Sequence, residues 1–398
     1  MSRPQGYSIA DYGDMISNSP RMAGFDMALR RAIQPGCTVF DIGAGTGIFA
    51  LLAAKYGAGH VVAIEPDPAI LLLPEMAKAN GLADKITVIQ GLSADFEPRQ
   101  KADIIISDIR GTLPLFQNHL LTILDARARL LAAGGVLIPL RDTVSLALAH
   151  APENHRAVAE PWLNNTLGLD LTAGHRFSAN SWARQRPGAV RLLSVPQMLV
   201  KLDYHKITGP NISAKIVLVA KQAGCAHGAL AWFDTQTGPG TGFSNAPDQP
   251  DLVYGRGFFP FQTPLELAEG DRVELAMRAD LHDDEYVWTW RSSHFSGAGV
   301  QPVASFVQSS AMAHPLAPQQ ERMRADKVPL PKPGHAVDAH ILANLDGKRS
   351  IGQIAQELQA RFAQRFASEK EALDHVRDVV AGYESKPAGD RRRDLSND

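Results

Sequence analysis

The apolar positions of this chain change period three times, and the changes divide it. Between residues 15 and 33, Met15, Ile16, Met22, Phe25, Met27, Leu29 and Ile33 recur at helical spacing. Asn18, Ser19 and Pro20 interrupt them. Two short helices are expected, the second capped by Ser19 with Pro20 in its first turn. From 36 to 142, short apolar runs alternate with helical stretches. Val39-Phe40, His60 to Ile64, Ile86 to Ile89, Ile104 to Ser107 and Val136 to Ile138 read as strands. Ile48 to Tyr56, Ile70 to Asn80 and roughly Leu115 to Leu131 read as helices. The uninterrupted run IIIS suits a parallel strand covered on both faces. The expected class is α/β, a Rossmann-like parallel sheet.

From 143 to 312 the period drops to two. Strands are expected at 144–149, 190–195, 198–204, 214–220, 228–233, 273–277 and 286–290, separated by turn-rich segments such as GPGTGFSNAPDQPD. They predict an antiparallel β-barrel or sandwich. Trp288 and Trp290 alternate with Thr289, so they share one strand face and are expected in its core. Residues 313–334, ending VPLPKPG, read as a linker. A small helical module follows over 335–384. Asp346-Gly347 marks a turn there, and Ser350 caps a helix from Ile351 to Phe362. A second amphipathic helix runs from Glu371 to Val380. Residues 385–398 are charged and apolar-poor, which predicts disorder.

Composition narrows the function classes. A chain of 398 residues exceeds one ordinary core, so two or three domains are expected. With 45% hydrophobic and 21% charged residues it reads as soluble and globular. A formal net charge of -2 gives no general pull toward nucleic acid or a membrane surface. No apolar run approaches the length that spans a bilayer, and the N-terminus lacks a signal pattern. Cys37 and Cys225 are too few for a disulfide framework or a Cys-rich zinc site, and no metal is expected. A reducing cytoplasm is the expected location.

The stretch Val39 to Asp67 carries the chemistry. Strand residue Asp41 is followed by Gly43, Gly45 and Gly47 at alternate positions, then a helix, then a strand delivering Glu65. A dinucleotide fingerprint places its third glycine three residues after its second, where this chain has Ile48. The spacing D-x-G-x-G-x-G, with an acid ending the next strand, resembles the S-adenosylmethionine (SAM) site of class I methyltransferases. SAM has no pyrophosphate to seat on a helix N-terminus, and its ribose diol suits a carboxylate such as Glu65. The resemblance implies adenine contacts at Ser93, Ala94 and Asp95, after the third strand. Asp108 follows strand IIIS at the carboxyl edge, where open α/β sheets bind substrates.

A narrower resemblance is to the protein arginine methyltransferases. Tyr12-x-x-Met15 followed by Arg21 looks like that family's N-terminal motif, and FFPFQTPLELAEGDRVELAM with YVWTWRSS resembles its barrel. The resemblance implies that the N-terminal helices, within residues 1–35, form a lid. Tyr12 and Met15 would cover SAM, and the Arg21 fork would pair with its methionine carboxylate. The family clamps its target guanidinium with two glutamates, which fall here at Asp108 and Gln117. Its Thr-His-Trp signature falls at Leu252, Val253 and Tyr254, without the histidine. These departures argue against arginine as the acceptor. Asp108 is expected to orient it or take its proton, Gln117 to hydrogen-bond a neutral acceptor, and His119 to be structural.

The expected function is SAM-dependent N-methylation of a protein or peptide side chain. A small-molecule methyltransferase of secondary metabolism and a catalytically silent SAM-binding partner are the alternatives. The family's dimerisation arm would fall at 155–185, implying a homodimer. LDGKRSIGQIAQEL resembles the helical part of PqqD-like modules, which present a peptide to a modifying enzyme. A plain helical cap is the other reading of that segment.

Overall fold

In a computed structural model, which describes residues 7–313, 334–380 and 383, the parallel sheet has five strands. They are β1 (Thr38–Ile42), β2 (His60–Glu65), β3 (Ile86–Gln90), β4 (Ala102–Ser107) and β5 (Leu131–Ile138), in the order β3-β2-β1-β4-β5. All four pairings are parallel. Every residue of central β1 is buried, as the unbroken apolar runs require. The order switches direction beside β1, so the carboxyl ends of β1, β2 and β4 border one crevice.

Helices α1 (Ile9–Ser17) and α2 (Ser19–Ala32) precede the sheet. A capping box between Ser8 and Asp11 starts α1. The cap position of α2 belongs to Asn18, not Ser19, which with Pro20 lies inside the first turn. Helix α3 (Ile48–Lys55) follows the glycine loop, and α4 (Leu73–Ala79) follows a 3-10 turn over Pro68–Leu72. The helix expected from Leu115 begins later, as α5 (His119–Asp125), and ends in a π-helical turn over Ala126–Leu130. Pro114 disfavours helical backbone just before it, and Gln117 sits at a left-handed φ of 42°.

Antiparallel strands complete this unit. One sheet holds β6 (Arg141–His150), β7 (Ala183–Arg184), β8 (Arg191–Leu192), β9 (Gln197–Asp203), β11 (Gly224–Gly238), β12 (Thr241–Ser244) and β13 (Gly257–Leu267). The other is ordered β10 (Ile212–Val219), β14 (Arg272–His282), β15 (Glu285–Phe295), β16 (Ala304–Ser309). Trp288 and Trp290 are fully buried, and the Trp290 indole donates to the Pro260 carbonyl at 3.2 Å. Between β6 and β7 the chain makes a helical hairpin of α6 (Pro152–Leu163) and α7 (Thr172–Ser178), which overlaps the segment expected to be an arm. One apolar core runs from Phe25 and Phe49 through the parallel sheet to Phe259, Trp288 and Trp290.

The chain divides into two compact units, Met1–Leu316 and Ala317–Asp398. Most of the expected linker and the expected disordered tail lie outside the described residues. The described part of the second unit is three helices, α8 (His335–Ala343), α9 (Ile351–Arg361) and α10 (Glu369–Val380), closed on Ile341, Ile354, Leu358 and Val376. Ser350 and Gln353 form the capping box of α9. No described helix is long and apolar enough to cross a membrane.

Candidate active site

The glycine loop is built as its spacing predicts. Gly43, Gly45 and Gly47 have φ of 73°, 56° and 85°, a region that side chains with a Cβ rarely occupy. The Gly43 and Ala44 amides donate to the Ile64 carbonyl at 2.9 and 3.2 Å, which ties the loop to the end of β2. Asp41 is buried, and its carboxylate accepts the Ala50 amide at 3.0 Å inside the first turn of α3. Burial pushes its carboxyl up to about 7, against the pull of the Ala50 amide and with help from nearby Glu65 and Asp108.

Glu65 ends β2 and is 8% exposed. One oxygen accepts the Gly45 amide at 2.9 Å and the other the Asp67 amide at 2.8 Å. Burial raises its carboxyl, and the two amides oppose that rise. Tyr12 of α1 lies directly over the loop: a Cβ at Gly45 would come within 2.5 Å of its ring. Burial first, then Glu65 and Asp67, raise the Tyr12 hydroxyl. Ser93 is buried, whereas Ala94 and Asp95 are exposed. Arg129 fixes this turn by donating to the carbonyls of Ser93 and Phe96, both at 2.8 Å. Nothing in the sequence reading pointed to Arg129.

The edge after β4 is different. Asp108, its side chain 4% exposed, is paired on both oxygens. Arg21 reaches one oxygen through Nε at 2.8 Å and Nη2 at 2.7 Å. Arg110 reaches the other through Nε at 3.0 Å and Nη2 at 2.8 Å. The Tyr254 hydroxyl lies 2.6 and 2.8 Å from the two oxygens. Burial alone would raise this carboxyl, but Arg110 and Arg21, helped by Tyr254, hold it well below the usual carboxylate range.

Arg110 is wholly buried. It also donates to Asp142 at 2.9 Å and to Thr235 at 2.7 Å. Its guanidinium carbon lies 5.4–5.8 Å from the ring centres of Phe25, Phe233, Phe243 and Tyr254. Asp142 is further bonded by Thr235 at 2.6 Å and by the Tyr204 hydroxyl. Two arginines and two aspartates thus form a formally neutral buried cluster.

These contacts correct two expectations. Asp108 has no oxygen left to orient an acceptor, and a carboxylate held so acidic is a weak proton acceptor. Arg21, read as the partner of the cofactor's carboxylate, is engaged by Asp108 and by the Met15 carbonyl at 3.0 Å. Met15 itself is half-buried. Gln117 is exposed, and no hydrogen bond brings it to Asp108. His119 is buried and 3.1 Å from the Tyr204 hydroxyl; burial and then Arg110 lower its imidazole to about 3, a structural setting. The signal that was missed is Arg110, a lone cation in the apolar stretch IRGTLPLF.

The parallel sheet, its glycine loop and the acid closing β2 are arranged as in the class I methyltransferase fold. A family model for ribosomal protein L11 methyltransferase (PrmA) matches residues 27–145. Protein arginine N-methyltransferase 1 of Oryza sativa subsp. indica is 32% identical over 245 residues, 60% of this chain and 63% of that protein. Probable protein arginine N-methyltransferase 1.2 of Arabidopsis thaliana is 30% identical over 247 residues, 60% of this chain and 67% of that protein. The chain belongs to the protein arginine methyltransferase family. It spans less than two thirds of the length of the rice relative. Among solved structures, the Trypanosoma brucei PRMT1 enzyme-prozyme heterotetrameric complex with AdoHcy aligns with a TM-score of 0.68 at 22% identity. That alignment covers 75% of this chain and 96% of that one.

Proposed function

We propose that this protein binds SAM at the glycine loop and transfers its methyl group to a polypeptide nitrogen that is not part of a guanidinium. The cofactor half fits the group. Glu65 spends one acceptor position on each oxygen on backbone amides, which leaves one on each for the two hydroxyls of a ribose. Tyr12 closes over Gly45, where only hydrogen fits beneath its ring. Bound SAM supplies a methyl group already activated by its sulfonium. What remains for the chain is to align the nucleophile and exclude water.

One observation carries the choice of acceptor: both oxygens of Asp108 are taken by the protein's own cations. A substrate guanidinium would find no free carboxylate there. A neutral nitrogen needs none, and exposed Gln117 offers an amide near the start of α5. The same saturation also favours a second reading, a SAM-binding partner without turnover. Incubating a peptide array with enzyme and SAM and reading mass gains separates the two. Methylated non-arginine peptides, lost with Glu65→Ala, support the first reading. Cofactor binding without any methylated product supports the second, and methylated arginine overturns the acceptor assignment.

The α6–α7 hairpin and the turn after α6 expose Trp162, Leu163, Leu167 and Leu169, which supports a dimer-forming arm. The C-terminal helices would hold the peptide. A monomer by light scattering at micromolar concentration contradicts the first proposal, and unchanged peptide affinity on deleting residues 317–398 contradicts the second.

A further inference from the structure

We infer that Arg110 is a resident guanidinium filling a guanidinium-binding cage at the acceptor edge, and that this residue sets the specificity of the site against arginine. The inference rests on reading the crevice beside β4 as the place where the acceptor enters. It is carried by the composition of the cage. Charge is supplied by Asp108 along the Nε–Nη2 edge of the guanidinium and by Asp142 at Nη1, each within 3.0 Å of a donor nitrogen. Thr235 accepts a further N–H at 2.7 Å. Aromatic rings, Phe25, Phe233, Phe243 and Tyr254, line the rest. Paired carboxylates and ring faces are what a planar, weakly hydrated cation seeks.

The cation in this cage comes from the loop itself. Arg110 lies two residues beyond Asp108, the first residue after β4, so its side chain folds back onto the sheet edge that the loop leaves. The side chain is fully buried. While it stays there, a second guanidinium meets a filled volume and neutralised carboxylates. Arginine is therefore refused by occupancy, even though the acid at this position is retained.

The test empties the cage. Arg110→Ala leaves Asp108 and Asp142 facing a cavity, and methylguanidinium is the probe. In calorimetry the variant should bind it roughly tenfold more tightly than methylammonium, because only the planar fork meets both carboxylates. Wild type should bind neither. If the variant does not fold alone, its refolding yield becomes the readout: millimolar methylguanidinium should restore soluble protein and methylammonium should not. Equal effects of the two cations in both measurements overturn the proposal. A short capped arginine peptide then decides whether the cage opens on the acceptor edge. Displacement of methylguanidinium supports the specificity role. Rescue without any displacement makes Arg110 a sealed ion-pair anchor and overturns that role. None of these readouts uses SAM, so failed turnover and a failed cage remain distinguishable.

Discussion

Glu65 and Asp108 stand at the ends of strands that flank the same central strand, yet their surroundings differ in kind. Glu65 is held by two backbone amides, carries no ion pair and keeps acceptor positions open. Asp108 is held by two guanidinium groups and a phenol and keeps none. Amides orient a carboxylate without neutralising it; arginines do both. The acid at the end of β2 therefore keeps capacity for a ligand, whereas the acid after β4 is spent on the protein's own groups. A strand-end acid alone does not mark a working group. What its oxygens are doing decides.

The largest effect should come from breaking the cluster behind Asp108. Asp142→Ala leaves two buried guanidinium groups, Arg21 and Arg110, sharing the single carboxylate of Asp108, and losing one partner of a buried pair costs about 3–5 kcal/mol. Glu65→Ala, which frees only two amides at the edge, should cost about 1 kcal/mol of stability. Urea unfolding of both variants compares the edges directly. Equal losses would mean that the ion-pair cluster contributes no more to stability than the two amide hydrogen bonds of Glu65.

Asp41 gives the next effect, and its sign is opposite to that of Asp108. The folded carboxyl of Asp41 is raised from 3.8 to about 7, so its contribution to stability is intact below pH 3.8 and is lost as pH rises through about 7. Asp108 is lowered, so its contribution is present above the usual carboxylate range and is lost on acidification. For Asp41 the shift bounds the penalty at roughly 4 kcal/mol at alkaline pH. Asp41→Asn keeps an acceptor for the Ala50 amide and should recover on the order of half of that. Melting curves from pH 5 to 8 should show the variant gaining on wild type as pH rises. A constant gap would remove the buried charge as the cause.

These outcomes also show how far the sequence could be read. The glycine loop was legible because its determinants are local: the alternate glycines, the strand before and the acid after all lie between Val39 and Asp67. The position of Asp108 was legible for the same reason. Its state was not, since Arg21 approaches from 87 residues before it and Tyr254 from 146 after it. Strand β13 was overlooked because Pro260 and Pro264 punctuate it, and the start of α5 was placed early because Phe116 extends the helical spacing of Leu120 and Ile123 backwards. Pairings distant in sequence, and prolines tolerated within a sheet, leave little trace in a single chain.

The affinity for cofactor sharpens the comparison from the other side. Glu65→Ala removes the proposed partner of two ribose hydroxyls. At about 1.5–3 kcal/mol for hydrogen bonds to a charged group, S-adenosylhomocysteine should bind at least tenfold more weakly by calorimetry. Unchanged affinity would move the ligand elsewhere, whatever the loop resembles.

The smallest effect tests the lid. Gly45 has a φ of 56°, and a Cβ there would press on Tyr12 at 2.5 Å. Gly45→Ala therefore combines backbone strain of about 1 kcal/mol with displacement of α1 from the loop. Tyr12→Ala alone should barely change stability, because α1 buries no residue completely. Pairing the substitutions separates strain from contact. If the lid closes through Tyr12, removing its ring relieves the clash and leaves only the strain, so the double variant should unfold nearer to wild type than Gly45→Ala does. Additive losses would mean that α1 reaches the loop through other contacts, and that Tyr12 covers Gly45 without holding it.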